Sequence, residues 1–184
     1  AGHTLSHARR LIRLAIEELA PIAESAGVVL AIKPAKDEAS FLTTLDEGVD
    51  LVTASGFTNV GIAIDLWTFS EELFSLENKR SVIEQAKIVS VADRVSNILH
   101  GHERLPPGAG ELPLLGLLHL LVESGYRGDI EFDPIGDTVA AMGYEQLLAS
   151  VRQYVDQLQI DMSLAETNSF CGESQTTLAE AFFR

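Results

Sequence analysis

Four polar residues stand at or near the C-terminal ends of four apolar runs. Lys33 follows "VVLAI", Asp65 follows "VGIAI", Ser90 sits inside "IVSVA", and Asp133 follows "DIEF". An ammonium group can steady negative charge that develops on an oxygen, and carboxylates can move protons. If the four run-ends meet, Lys33 bridges Asp65 and Asp133, which explains why an apolar strand should finish on a cation. A catalytically silent ion network would use the same residues, and the two readings look alike in sequence.

The elements that must position these residues alternate. Residues 4–26 read as a helix, with Thr4 or Ser6 as a cap, Pro21 as a kink, and Leu11, Leu14, Ala15, Leu19, Ile22 and Ala23 along one stripe. The strands are expected at 28–33, 60–65, 88–92 and 129–133, and helices at 38–55, 70–85, 112–125 and 144–158, with a long polar loop at 93–111. Residues 160–184 read as a tail with weak periodicity and one short helix at 175–183. Within each strand one side is large and apolar (Leu30 and Ile32; Val60, Ile62 and Ile64; Val89 and Val91; Ile130 and Phe132). The other side is small, then polar at the tip. Strand–helix alternation of this kind means parallel β/α units, whose C-terminal strand ends are where sites are built.

Bulk composition narrows the function classes. The chain has 184 residues, 46% of them hydrophobic, enough for a sizeable core, and one domain is the natural expectation. Acidic residues outnumber basic ones 27 to 13, for a net charge of −14. Such a field argues against nucleic-acid and membrane-surface partners. The single cysteine, Cys171, excludes an internal disulfide and fits a reducing, cytoplasmic compartment; with no basic neighbours it reads as inert. No apolar run reaches membrane-spanning length and no signal peptide is visible.

Taken in order, "HARRLIRLAIEELAPIAESAGVVLAIKP", "VGIAIDLW", "VSVADR" and "RLPPGAGELPLLGLLHLLVESGYRGDIEFDP" resemble the xylose isomerase-like TIM barrels, a group that includes sugar-phosphate isomerases and epimerases. The resemblance runs from about residue 3 to 158. It implies an α/β fold of the (β/α)8 type, this chain covering strands five to eight, with residues 1–158 as the second half of the barrel and 159–184 as a tail. A whole barrel needs about 250 residues, so the reading expects either a missing barrel half or a half-barrel that pairs with another copy.

The resemblance also implies a divalent cation, Mn²⁺ or Mg²⁺, held by a Glu, an Asp, a His and a Glu on the four strands. Here those positions are Lys33, Asp65, Ser90 and Asp133, and an auxiliary His position is Thr68. Two of the four ligands are lost and one is shortened. An ammonium about 4 Å from a dication opposes binding by roughly 8 kcal/mol at an effective dielectric of 20. No cofactor is therefore expected at the family site, and Asp65 and Asp133 remain only as residual metal positions. By the same resemblance, Lys33 and Asp133 are the candidate catalytic residues, acting on a small ketose or polyol next to its carbonyl. Arg104, Trp67 and Ser90 are the candidate substrate-binding residues.

The alternative reading is a non-catalytic barrel that binds a small carbohydrate or a partner protein. Arg104 has a plain competing role in loop packing, and Trp67 in the core. Asp93 and Arg94 are expected to pair, His100 and His102 to be solvated, and His119 to be packed. Glu131 points inward and needs a partner if buried.

Overall fold

The computed structural model describes residues 5–38, 40–75, 79–95 and 103–168, with side chains described through residue 159 except that of Lys79. It divides into two units, Ala1–Val89 and Ser90–Arg184. The first carries α1 (Leu5–Ser25), β1 (Leu30–Ile32), α2 (Leu45–Ser55), β2 (Val60–Asp65), α3 (Leu66–Ser75), α4 (Lys79–Gln85) and most of β3 (Ala86–Val91). The second carries the end of β3, then α5 (Leu114–Glu123), β4 (Asp129–Phe132), α6 (Asp137–Met142) and α7 (Tyr144–Asn168). The strand order is β1-β2-β3-β4, so each strand neighbours the next in sequence. β1 pairs with β2 in parallel, with Leu30 opposite Val60 and Ile32 opposite Ile62. The helix between them is the crossover that parallel pairing requires. Among the described residues, no helix is long and apolar enough to cross a membrane.

In the first unit every residue of β2 is buried. Val60, Ile62 and Ile64 are at most 1% exposed, and Leu45, Val52, Phe69, Leu73 and Val82 on the surrounding helices at most 2%. β1 behaves differently. Leu30 and Ile32 are half-buried while Ala31 between them is exposed. The period of two expected along each strand is thus visible in β1, whereas β2 is covered on both sides and shows none. In the second unit the core residues are Leu114, Leu117, Leu118, Leu121 and Val122 of α5, with Tyr126 and Leu158. There β4 again alternates, with Asp129 and Glu131 exposed and Ile130 and Phe132 half-buried.

Several element boundaries depart from the expectation. The first strand spans three residues, not six, because Val28 and Val29 lie outside the ladder. The helix expected from residue 38 starts at Leu45. Thr44 adopts an extended conformation there, and its hydroxyl accepts the N–H of Glu47 at 3.2 Å, a side-chain N-cap that fixes the start. The helix expected over 70–85 is two helices, and the first begins directly after Asp65. α6 was not anticipated, and α7 runs to Asn168, through the expected boundary at residue 158. The short helix expected at 175–183 lies outside the described residues.

The stripe on α1 is the largest departure. The buried residues are Ile16, Ala20 and Ala23, whereas Leu11, Leu14, Leu19 and Ile22 are between 46% and 61% exposed. The expected stripe and the covered one share only Ala23. They are neighbouring faces of one broad apolar arc, of which this chain covers a part.

Glu47 anchors the start of α2 from both directions. Its carboxylate accepts the Thr43 backbone N–H at 2.9 Å and the Thr43 hydroxyl at 3.2 Å, and it pairs with Arg9 of α1 at 2.5 Å. The Thr43 amide leads in holding this carboxyl below its ordinary value of 4.5, with the Thr43 hydroxyl and Arg9 acting in the same sense against the opposing effect of burial. A depressed folded-state value contributes stability that is present above the unfolded value and lost as pH falls through the folded one. Glu47→Gln should therefore lower the melting temperature at neutral pH. Melting curves of both proteins taken at successively lower pH should converge below the carboxylate range.

Candidate functional site

The candidate residues form two local clusters, one in each unit. In the first, Asp65 closes β2 and opens α3. One carboxylate oxygen accepts the Trp67 backbone N–H at 3.1 Å, and the other accepts the Thr68 hydroxyl at 3.0 Å. A short acidic side chain at a helix start satisfies amides that have no intrahelical partner. The same Oδ2 lies 3.7 Å from Lys33 Nζ, an ion pair with Asp65 enclosed and the Lys33 side chain 39% exposed. A pair that long and that open to water is worth at most about 1 kcal/mol. Its significance is chemical: the ammonium is anchored at the strand end and still reachable from solvent. Trp67 is half-buried, and its main-chain N–H helps hold Asp65.

The second cluster centres on Asp133, immediately after β4. Arg104 Nη2 lies 2.8 and 2.7 Å from the two carboxylate oxygens, and Arg104 Nε donates to the Asp133 carbonyl at 3.3 Å. The two side chains are 15% and 29% exposed, so this pair is more sheltered than the first. Ser90, fully enclosed, donates its hydroxyl to Glu131. Glu131 is exposed rather than buried, so the partner it was expected to need is present without burial.

Arg104 is held by its own backbone. It exchanges hydrogen bonds at 2.9 Å in both directions with Ile135, and the next residue, Leu105, exchanges bonds at 2.8 Å with Asp93. Asp93 fixes the rest of that loop through its side chain. At 1% exposure its carboxylate accepts the N–H of Arg94 at 2.8 Å, of Leu112 at 3.0 Å and of Gly108 at 3.0 Å. A Cβ on Gly110 would come within 2.4 Å of Asp93 Oδ1 and 2.6 Å of the Arg94 carbonyl. Only glycine fits so close to the pin. The expected Asp93–Arg94 pairing thus takes the form of a main-chain bond, and the sequence reading missed the larger role of Asp93. The signal was present in "ADRV" followed by "PPGAGE": a strand-end carboxylate with a glycine-rich loop to collect.

Other candidates fall elsewhere. His119 on α5 is half-buried, and its Nε2 has no hydrogen-bond partner among the described residues. His100, His102 and Cys171 lie outside the described residues.

With this geometry in view, the comparison with known proteins is direct. The sequence model of the xylose isomerase-like TIM barrel matches residues 1–157. The chain belongs to that family. Its parallel sheet and helices follow the barrel pattern in solved structures. D-psicose 3-epimerase from Clostridium cellulolyticum H10, solved with D-tagatose, superposes with a TM-score of 0.69 at 19% identity, over 87% of this chain and 58% of that one. L-ribulose 3-epimerase gives 0.69 at 16% identity, over 95% and 61%. The IOLI protein, solved with a zinc atom, gives 0.68 at 18% identity, over 86% and 58%. Identities this low establish the fold alone. The chain spans about three fifths of the length of these proteins. No curated protein matches the chain significantly.

The residues at the positions where the resemblance implies metal ligands do not fit a divalent cation. One of them is itself an ammonium, 3.7 Å from Asp65. A guanidinium engages both oxygens of Asp133, and Ser90 directs its hydroxyl to Glu131. Among the described residues no group of three or more His, Cys, Asp or Glu side chains could hold a metal ion. Cationic side chains sit at carboxylates that hard cations otherwise bind.

Asp93→Asn tests the pin. An amide offers one acceptor oxygen where the carboxylate has two, so at least one of the three N–H groups loses its charged acceptor, at a loss of about 1–3 kcal/mol. Denaturant unfolding should show that loss, and amide exchange at Gly108 and Leu112 should accelerate together.

Proposed function

We propose that this chain is part of a barrel that moves a proton at the carbon next to the carbonyl of a small ketose or polyol, without a divalent cation. The reading rests on one observation: at each of two strand-end carboxylates, Asp65 and Asp133, a protein cation is held in place. Barrel enzymes build their chemistry at this end of the strands. Lys33, anchored by Asp65 and accessible to solvent, stabilises the negative charge that develops on the carbonyl oxygen as the neighbouring C–H bond breaks. Asp133 accepts that proton as general base and returns it to carbon as general acid. Arg104 orients the Asp133 carboxylate and offers its remaining N–H groups to substrate hydroxyls. Trp67 and Ser90 complete the polyol-binding set. One cysteine in 184 residues suits work in a reducing compartment such as the cytoplasm.

A second reading, carbohydrate binding without turnover, is favoured by one specific feature. Both oxygens of Asp133 are engaged by Arg104, an arrangement that suits recognition of vicinal hydroxyls better than proton transfer, because the oxygens that would take the proton already face a guanidinium.

Incubation of the protein with ketopentoses and ketohexoses in D₂O, with and without EDTA, separates these. Proton transfer incorporates deuterium at the carbon adjacent to the carbonyl, unaffected by the chelator. Asp133→Asn should slow incorporation by about 10²–10⁴-fold, and Lys33→Met should slow it while Lys33→Arg retains part of the rate. Binding detected by calorimetry with no deuterium uptake would favour the second reading. Turnover that appears only on adding Mn²⁺ would overturn both the metal-free chemistry and the role given to Lys33.

A further inference from the structure

α1 concentrates cations in a chain that has few. Arg9, Arg10 and Arg13 are three of the 13 basic residues in a protein of net charge −14, and they crowd one stretch of one helix. All three border a cavity of about 660 Å³ between α1 and α2. Both helices belong to the first unit, and the cavity shares no residue with the clusters around Asp65 and Asp133. Its other side is of opposite sign. α2 contributes Glu47 and Asp50, one helical turn apart, and Leu42 and Leu51 add apolar surface. Leu42 is buried and Leu51 half-buried, so the apolar part is sheltered.

Opposite charges facing one another should pair, and in part they do. Arg9 crosses to Glu47 at 2.5 Å, and Arg13 is satisfied along its own helix by Glu17 at 3.5 Å. Arg10 and Asp50 stay apart. Among the described residues neither side chain has a hydrogen bond or an ion pair. One unmatched guanidinium and one unmatched carboxylate therefore border the same cavity, beside sheltered apolar surface.

We propose that the cavity between α1 and α2 binds a small apolar zwitterion of dipeptide size, with its carboxylate on Arg10, its ammonium on Asp50 and its side chains against Leu42 and Leu51. A guanidinium presents parallel N–H donors that match a carboxylate, and a carboxylate accepts the N–H groups of an ammonium. Charge selects against the alternatives. A purely anionic ligand meets Glu47, Asp50 and the negative field of the whole chain, and a purely cationic one meets three arginines. A ligand with one charge of each sign escapes both repulsions. The volume lies within the ordinary range of small-molecule pockets, about 300–1,000 Å³, and has room for two amino-acid residues.

The test titrates the protein with leucyl-leucine, its N-acetyl derivative and its C-terminal amide, followed by calorimetry and amide chemical shifts. Leucyl-leucine should bind at millimolar concentration and shift amides of residues 6–13 and 42–54. Acetylation removes the ammonium and amidation removes the carboxylate, and each should weaken binding by about three- to tenfold. In Asp50→Asn the free and acetylated peptides should bind alike, and in Arg10→Gln the free and amidated ones. Both side chains are exposed, so the two variants should keep the melting temperature of the parent. Four results would overturn the proposal: no saturable binding, shifts confined to residues away from α1 and α2, an acetylated peptide that binds as tightly as the free one, or variants that discriminate among the three peptides as the parent does.

Discussion

A carboxylate removed from water must find donors, and in the second unit the donors are the backbone amides of a loop. Asp93 is enclosed, and the N–H groups of Arg94, Gly108 and Leu112 converge on it. Each bond to a charged acceptor contributes about 1.5–3 kcal/mol, enough to order a segment rich in proline and glycine that has no ladder of its own. From that pin the rest follows by covalent adjacency. Leu105 is tied to Asp93, Arg104 is next to Leu105, and Arg104 is tied to Ile135 two residues beyond Asp133. The guanidinium that meets Asp133 therefore reaches it from a backbone held on both sides of the loop. This is how a long polar loop presents a charged side chain with little freedom.

Asp65 performs the corresponding task in the first unit by a shorter route. It has no loop to gather, because α3 begins at the next residue, and its oxygens are shared between the first turn of that helix and Lys33. The strand supporting it is covered on both faces, so its position is set by packing, whereas that of Arg104 is set by hydrogen bonds. One consequence is a difference in tolerance. Neighbours of Asp65 are constrained by volume, as closely packed interiors are. Residues 104–112 are constrained by glycine geometry and amide direction.

Much of this was legible in the sequence where one physical cause acted alone. The segment "VGIAID" becomes β2 over the expected six residues. Asp65 ends its strand as expected, and Lys33 and Asp133 each stand one residue past theirs. Legibility failed where two causes competed. The apolar spacing of α1 identified a stripe centred on Leu11, Leu19 and Ile22, but which part of a broad apolar arc is covered depends on neighbours that spacing does not encode. The start of α2 lies later than the spacing suggests because the mixed segment "EASFLT" suits either a first helical turn or a loop; Thr44 decides by capping. The role of Asp93 escapes a reading by side-chain pairs, since its partners are main-chain groups up to 19 residues away and the glycine-rich loop is their one trace in the sequence.

In the proposed reading, side-chain cations stand where the resemblance implies a dication, and that changes what such a site can do. A unit charge about 4 Å from a developing oxyanion is worth roughly 4 kcal/mol at an effective dielectric of 20, and a dication twice that. The difference corresponds to nearly three powers of ten in rate if it is expressed wholly in the transition state. An ammonium also donates directional hydrogen bonds and gathers no set of oxygen ligands around itself, so it selects one substrate oxygen where a metal could chelate two. Chemistry built on Lys33 would then be slower and more selective for a single carbonyl than metal-assisted enolisation. Recognition would rest on the hydroxyl partners that Arg104 and Asp133 supply, which is the property that binding and turnover at this site have in common.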